Sequence, residues 1–284
     1  MNAPPLVRVK TGRLVMRQTI IYILLVIAVG WALVPIIWMV LSSLKTLDDI
    51  FRYPMEWIPK PFYFEAYPTA WAQRNFARYF FNSMFISVSI TAGNIIICSM
   101  AGYALAKYRF FGRQFIFLAV LSSLMLPLQV TMVPLFLVVK EFHWQNTYSG
   151  IIIPFLADPF GIFLMRQYIL DFPDELIEAA RIDGMSEFRI FSKIVLPLVK
   201  PAMMALAIFC FREAWDLYIW PLVIITTESL RPLTLGIALF MSNYGTDWNQ
   251  LLAISTIAML PMIVIFLTLQ RYFVSGIVLS GLKG

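Results

Sequence analysis

The sequence predicts an all-α, polytopic membrane protein of six transmembrane helices with a cytoplasmic hairpin of two short helices. Three observations carry that expectation. Hydrophobic residues make up 60% of the 284 positions and charged residues 13%, and the mean hydropathy of +0.78 lies outside the range of water-soluble domains. The apolar residues fall into runs long enough to cross a bilayer, separated by short basic segments. The one long charged stretch, Phe163 to Ala202, carries the punctuation of two short helices.

Taken in order, Arg8, Lys10, Arg13 and Arg17 form a basic cytoplasmic segment over residues 1–18. The uncharged run from Thr19 to Leu41, at about 1.5 Å per residue, exceeds a signal-peptide core and matches a bilayer crossing. A transmembrane domain is expected over 19–274. Within it, residues 45–80 mix charges and aromatics with Pro54, Pro59, Pro61 and Pro68, the composition of an ordered external loop. A second span from Asn82 to Ala106 ends in Lys107, Arg109 and Arg113. A third, Gln114 to Val139, contains Pro127, Gln129 and Pro134, interruptions tolerated where freed backbone groups face protein or a wet cavity. A fourth, Gly150 to Met165, carries Asp158 before Pro159. After the charged stretch come a fifth span between Pro201 and Ile225, a polar external segment, a sixth from Leu251 to Gln270, and a cytoplasmic tail over 275–284. Most of the 22 Lys and Arg residues fall on the side that holds both termini, which predicts cytoplasmic termini and assigns the net charge of +6 to orientation, with no nucleic-acid partner.

In the charged stretch, Pro173 suits a first helical turn and Asp174, Glu175 and Glu178 complement its positive end. Gly184 suits a left-handed helix end, and Ser186 can cap a second helix in which Phe188, Phe191, Val195 and Leu198 share a face until Pro197 and Pro201 interrupt it. Physical chemistry alone admits two roles for such a hairpin over 173–197: lying on lipid headgroups, or receiving a soluble partner.

In the fifth span Arg212, Trp215, Asp216 and Ile219 share a helical face, with Glu213 beside them. Ionisable groups at that depth are too costly to face lipid. They either tie helices together as an ion-pair cluster or line a translocation path, with Trp215, Tyr218 and Trp220 as platforms for sugar rings. Gln129 and Asp158 are further candidates for that path. Cys98 and Cys210 lie in apolar runs and read as small buried hydrophobes. His143 has no companions at ligand spacing, so no metal site is expected. Gly276 and Gly281 are spaced as in a phosphate-binding loop, but Leu282 follows where Lys with Ser or Thr is needed.

Glu178-Ala179-Ala180, Asp183-Gly184, Ile194 and Leu196-Pro197 resemble the EAA loop of ABC-importer permeases. Pro127, Gln129, Thr131 and Pro134, then Pro154, Phe163 and Arg166-Gln167, then Gly236, Thr246-Asp247-Trp248, Pro261 and Gln270-Arg271-Tyr272-Phe273 extend the resemblance to the MalG-like permease subunit of bacterial carbohydrate importers. Trp215, Tyr218, Pro221 and Leu222 resemble a further family pattern, from which Asp216 departs where Asn is usual. The resemblance implies an inner-membrane subunit, not itself an enzyme, paired with a second homologous permease and fed a di- or oligosaccharide by an extracytoplasmic sugar-binding protein. It implies two partner ATPases, which bind ATP and Mg and dock on Glu178, Ala179, Ala180, Asp183, Gly184, Leu196 and Pro197. It also implies a tail, Gly276, Gly281, Lys283 and Gly284, that reaches those ATPases. The same machine carrying a glycerol phosphodiester or another polyol derivative is an alternative. A proton-coupled secondary transporter relaying through Asp158, Glu213 and Asp216 is a more distant one.

Overall fold

The structure, a computed structural model, describes residues 11–73, 75–238, 241–242 and 245–281. Fifteen α-helices dominate the described residues. Helix α1 (Thr11–Ser42) begins before Thr19 and takes in Arg13 and Arg17, so the boundary drawn at residue 18 falls inside a helix. Backbone hydrogen bonding continues through polar residues where hydropathy stops. The side chains of α1 are exposed from Val15 to Ile37, leaving an apolar surface for lipid or a partner.

The external loop is ordered by a few anchors. Short helices α2 (Leu47–Ile50) and α3 (Ala66–Gln73) frame it, and Thr46 caps α2 through the Asp49 amide at 3.4 Å. Lys45 is 1% exposed, donates to the Glu56 carbonyl and sits 4.5 Å from the Trp38 ring centroid. Burial lowers its proton affinity, which Asp49 and Glu56 partly restore.

Helix α4 (Phe76–Lys107) is one uninterrupted rod, and α8 (Pro159–Leu170) and α12 (Lys200–Trp215) pack along it. The third span is broken: α5 (Arg113–Ser123) and α6 (Leu128–Glu141) meet at 110°. The break falls before Pro127, whereas Pro134 stays inside α6. The fourth comprises α7 (Tyr148–Ile152), a 3-10 turn over Ile153–Phe155, and α8. The hairpin is α9 (Asp174–Ile182), α10 (Glu187–Ile190), a π-helical turn over Phe191–Val195 and α11 (Leu196–Leu198), and it meets α12 at 78°. After α12 the chain forms α13 (Ile219–Ile224) and α14 (Leu233–Ala238). A two-stranded ladder follows, β1 (Met241–Ser242) pairing antiparallel with β2 (Gly245–Thr246). Helix α15 (Trp248–Gly281) closes the described chain and runs past the boundary drawn at residue 274. Among the described residues four helices could cross a membrane by length and composition, and up to six spans result when each bent pair counts as one.

Glycine sets the spacing between α4 and α8. A Cβ at Gly102 would lie 2.7 Å from Met165 Cβ and 2.8 Å from the Arg166 backbone nitrogen, so a side chain there must move a backbone. Around this contact Cys98, Leu105, Ile162, Met165, Ile169, Ile177, Ala180, Ile190 and Leu206 form a buried cluster that joins the hairpin to the bundle.

Gly102→Val should separate α4 from α8 at a cost of about 1–3 kcal/mol, read as a lower thermal midpoint in detergent. Gly30→Val, where nothing lies within 4 Å, should leave the midpoint unchanged; equal midpoints for both variants would refute the close packing.

Candidate functional site

Two regions hold the candidate residues. The hairpin is built from its glycine outward. Gly184 adopts φ +76, its amide donates to Arg181 O at 3.0 Å, and the Met185 amide donates to Ala180 O at 3.0 Å. This pair of bonds is the Schellman ending, which requires a left-handed residue at that place. Arg181 and Glu187 then brace the two helices, with Nε to Oε1 at 2.7 Å and an Nη2 bond of 3.3 Å to Oε2. The Arg181 bond, then the Tyr108 hydroxyl, hold the Glu187 carboxyl below the ordinary glutamate range. The Lys107 bond and charge do the same to Asp174.

Three expectations are corrected. Ser186 stands at the cap position, but its hydroxyl makes no capping bond. Phe188 is 72% exposed and Leu198 48%, so they do not share a buried face with Val195. The π turn adds a residue to the helical repeat and shifts the apolar stripe to Ile190, Phe191, Ile194, Val195 and Val199. Pro173 is the residue before α9, not its first.

Of the motif residues, Ala180 is 4% exposed and packs inward with Ile177, while Glu178, Ala179, Asp183 and Gly184 are exposed. Leu196 is half-buried and Pro197 exposed near the bend into α12. Ile182, 86% exposed, and Phe188 flank the glycine in sequence as exposed apolar side chains.

The second region is a cavity of about 300 Å³ lined by Asn94, Leu128, Phe155, Asp158, Cys210, Glu213 and Leu217, among others. It lies where α8 starts after the broken stretch at 153–158. Asp158 caps α8, accepting from the Phe160 amide at 3.3 Å through one oxygen and the Gly161 amide at 3.0 Å through the other. Asn94 pins the break to α4: its Nδ2 donates to Phe155 O at 2.6 Å, and its Oδ1 accepts the Asp158 amide at 2.7 Å.

Glu213 lies on the cavity wall, Arg212 reaches it at 3.4 Å, and Arg212 meets Asp216 at 3.7 Å. All three side chains are at least half exposed in this chain, so they turn away from the core as the cost of ionisable groups requires. Gln129 is exposed next to cavity-lining Leu128. The aromatic-platform expectation fails for two of its three residues. Trp215 is 5% exposed, its indole nitrogen donates to Ala258 O at 3.1 Å, and Phe211 stacks on it at 5.6 Å. Trp220 is fully buried and donates to Gly150 O at 2.9 Å. Only Tyr218, 38% exposed, remains presented. Asn94 was not singled out from sequence, although Ser83, Ser87, Thr91 and Asn94 repeat at helical spacing inside an apolar run and form a buried polar stripe.

Comparison with known proteins adds to this geometry. A family model described as "Binding-protein-dependent transport system inner membrane component" matches residues 93–278. The arabinooligosaccharides transport system permease protein AraQ of Bacillus subtilis is 37% identical over 255 residues, covering 89% of this chain and 91% of that protein. The sn-glycerol-3-phosphate transport system permease protein UgpE of Yersinia enterocolitica is 34% identical over 267 residues, covering 90% and 94%. Among solved structures, a chain of a bacterial ABC transporter involved in import of the acidic polysaccharide alginate aligns with TM-score 0.81 and 25% identity, over 95% of this chain and all of that one.

Asp158→Ala should cost about 0.5–2 kcal/mol through loss of the α8 cap, whereas Asp158→Asn keeps an acceptor and most of that stability. Transport by the Asn variant should stay near that of the unmodified chain. Its abolition at unchanged thermal stability would give the carboxylate a direct part in the path.

Proposed function

The chain belongs to the family of binding-protein-dependent transport system inner membrane components, and on that premise we propose how its parts divide the work. It is a permease subunit of an ABC importer. It pairs with a second homologous permease, and an extracytoplasmic binding protein delivers a di- or oligosaccharide to their outer face. Two ATPase subunits bind ATP and Mg and dock under the hairpin 173–197; this chain hydrolyses nothing. Both termini are cytoplasmic.

The observation that carries the docking role is the hinge at Gly184. A left-handed glycine, its two carbonyl bonds and the Arg181–Glu187 brace fix the angle between α9 and the following helix, while Ile182 and Phe188 project without an intrachain cover. A preset concave-partner anchor of this kind suits a soluble protein better than a lipid surface, on which a braced hinge has no use. Closure of the ATPases would move the hairpin as one piece and rearrange the helices around the cavity.

The solute class is supported by chemistry as well as by relatives. Asp158 and Glu213 give the cavity acidic walls, which accept hydrogen bonds from sugar hydroxyls and repel phosphate or uronate groups. The glycerol phosphodiester alternative has Arg212 in its favour, but that guanidinium is already shared between Glu213 and Asp216. A secondary transporter relaying protons through Asp158 would have to break the α8 cap at each turnover.

The C-terminal reading extends this. Lys283 and Gly284 lie outside the described residues, but α15 runs through Gly276 to Gly281. At about 1.5 Å per residue it outreaches a hydrocarbon core of about 30 Å. We read the surplus as reaching toward the ATPases.

Gly184→Val should strain the hinge by roughly 1–2 kcal/mol with no new contact, since nothing lies within 4 Å of a Cβ there. Co-purification of the ATPase and solute uptake in proteoliposomes should fall together while membrane insertion persists, and normal uptake would remove the hairpin from coupling. The same assay on a chain cut before Leu279 reads the tail, for which full retention of the ATPase and uptake would be fatal. In labelling with an impermeant reagent, a cysteine near Arg181 should react only from the cytoplasm and one near Lys60 only from outside; reaction of both from one side would end the six-span topology.

A further inference from the structure

The hairpin is joined in sequence to α8 and α12, yet its firmest polar contacts are to the end of α4. Lys107, the last residue of that helix, has a side chain only 6% exposed. Its ammonium lies 2.5 Å from Phe172 O and 2.6 Å from Asp174 Oδ1, at the start of α9. The next residue, Tyr108, donates its hydroxyl to Glu187 at the start of α10. Tyr103, one turn earlier on α4, meets the Tyr108 ring edge-on at 5.4 Å and lies 5.5 Å from Phe191 in the π turn. Arg113 fixes the Tyr108 carbonyl at 3.1 Å. The start of each hairpin helix is therefore held by one end of α4.

At mid-length the same rod carries Asn94, whose amide holds Phe155 and Asp158 at the broken cavity wall. Between Asn94 and Lys107 the helix is continuous and spans about 20 Å at 1.5 Å per residue.

The geometry points to Lys107 and Tyr108 as positioning residues that pass hairpin movement into α4, which carries it through Asn94 to the break at 153–158. This rests on the docking of an ATPase on the hairpin proposed above. It adds a route: hydrogen bonds at two points along one rigid element, an arrangement able to carry energetic coupling, in place of a pull through the covalently adjoining helices alone.

The test uses the assembled complex of permease pair and ATPases, with a single added cysteine at Ala157, an exposed residue of the cavity lining. Its rate of reaction with a maleimide is read with and without a non-hydrolysable ATP analogue and Mg. The unmodified background should show a nucleotide-dependent change in rate. Tyr108→Phe combined with Lys107→Gln should shrink that change by about five-fold or more, while the ATPase still co-purifies and binds the analogue equally. The charge swap Lys107→Asp with Asp174→Lys, over an intact Tyr108, should restore most of it. A full response in the Phe and Gln variant would overturn the α4 route alone. Loss of the ATPase from that variant would also overturn it, because the two residues would then be shaping the docking face. Failure of the ATPase to bind the unmodified permease would instead sink the docking reading, and this route with it.

Discussion

A break in a membrane helix frees backbone groups that lipid cannot satisfy, and each must be answered from within the protein. The described chain is arranged around such answers. Asn94 supplies the groups at Phe155 and Asp158, and Asp158 supplies the amides at the start of α8. Trp220 covers Gly150 O, and Thr234 donates to Leu217 O at 2.8 Å where the fifth span breaks. The side chains that close these accounts come from α4, α13, α14 and the residue that precedes α8. The cavity exists because the breaks it needs are held open by hydrogen bonds rather than left to solvent.

Those breaks explain why the two candidate regions differ in legibility. The hairpin was readable because its signals are local: acidic residues after Pro173, a glycine where a helix must end, and a long motif. Its hinge is a backbone property of one residue, Gly184. The frame of the second helix was not readable, since the π turn at Phe191–Val195 changes the repeat within it, with Ile190 and Val195 buried and Phe188 exposed. Helical spacing assumes a uniform repeat.

In the membrane the reading was coarser. Hydropathy located the spans and their order, and proline marked the interruption at Pro127. It gave no sense of how sharply α5 and α6 turn, nor that Trp215 and Trp220 bury both ring and indole nitrogen. An aromatic in a polar neighbourhood looks alike whether it faces a cavity or caps a carbonyl across a helix pair. Arg212, Glu213 and Asp216 stood out in the sequence as ionisable groups inside an apolar run, whereas Asn94 was overlooked because a single amide does not disturb an apolar average. Lys107 was read as a topological charge, and its carbonyl and carboxylate partners lie far away in sequence.

The surface left open on α1 has a bearing on how the chain is made. Its principal helix neighbour is α15, and the short helices α2 and α3 also contact α15, so the partner of the first described helix lies at the far end of the described chain. Chains fold progressively as they emerge, and long-range contacts wait for both ends. Helix α1 is therefore docked only once α15 is in place. Until then it stands as a lone helix in lipid, held by the membrane and not by the fold.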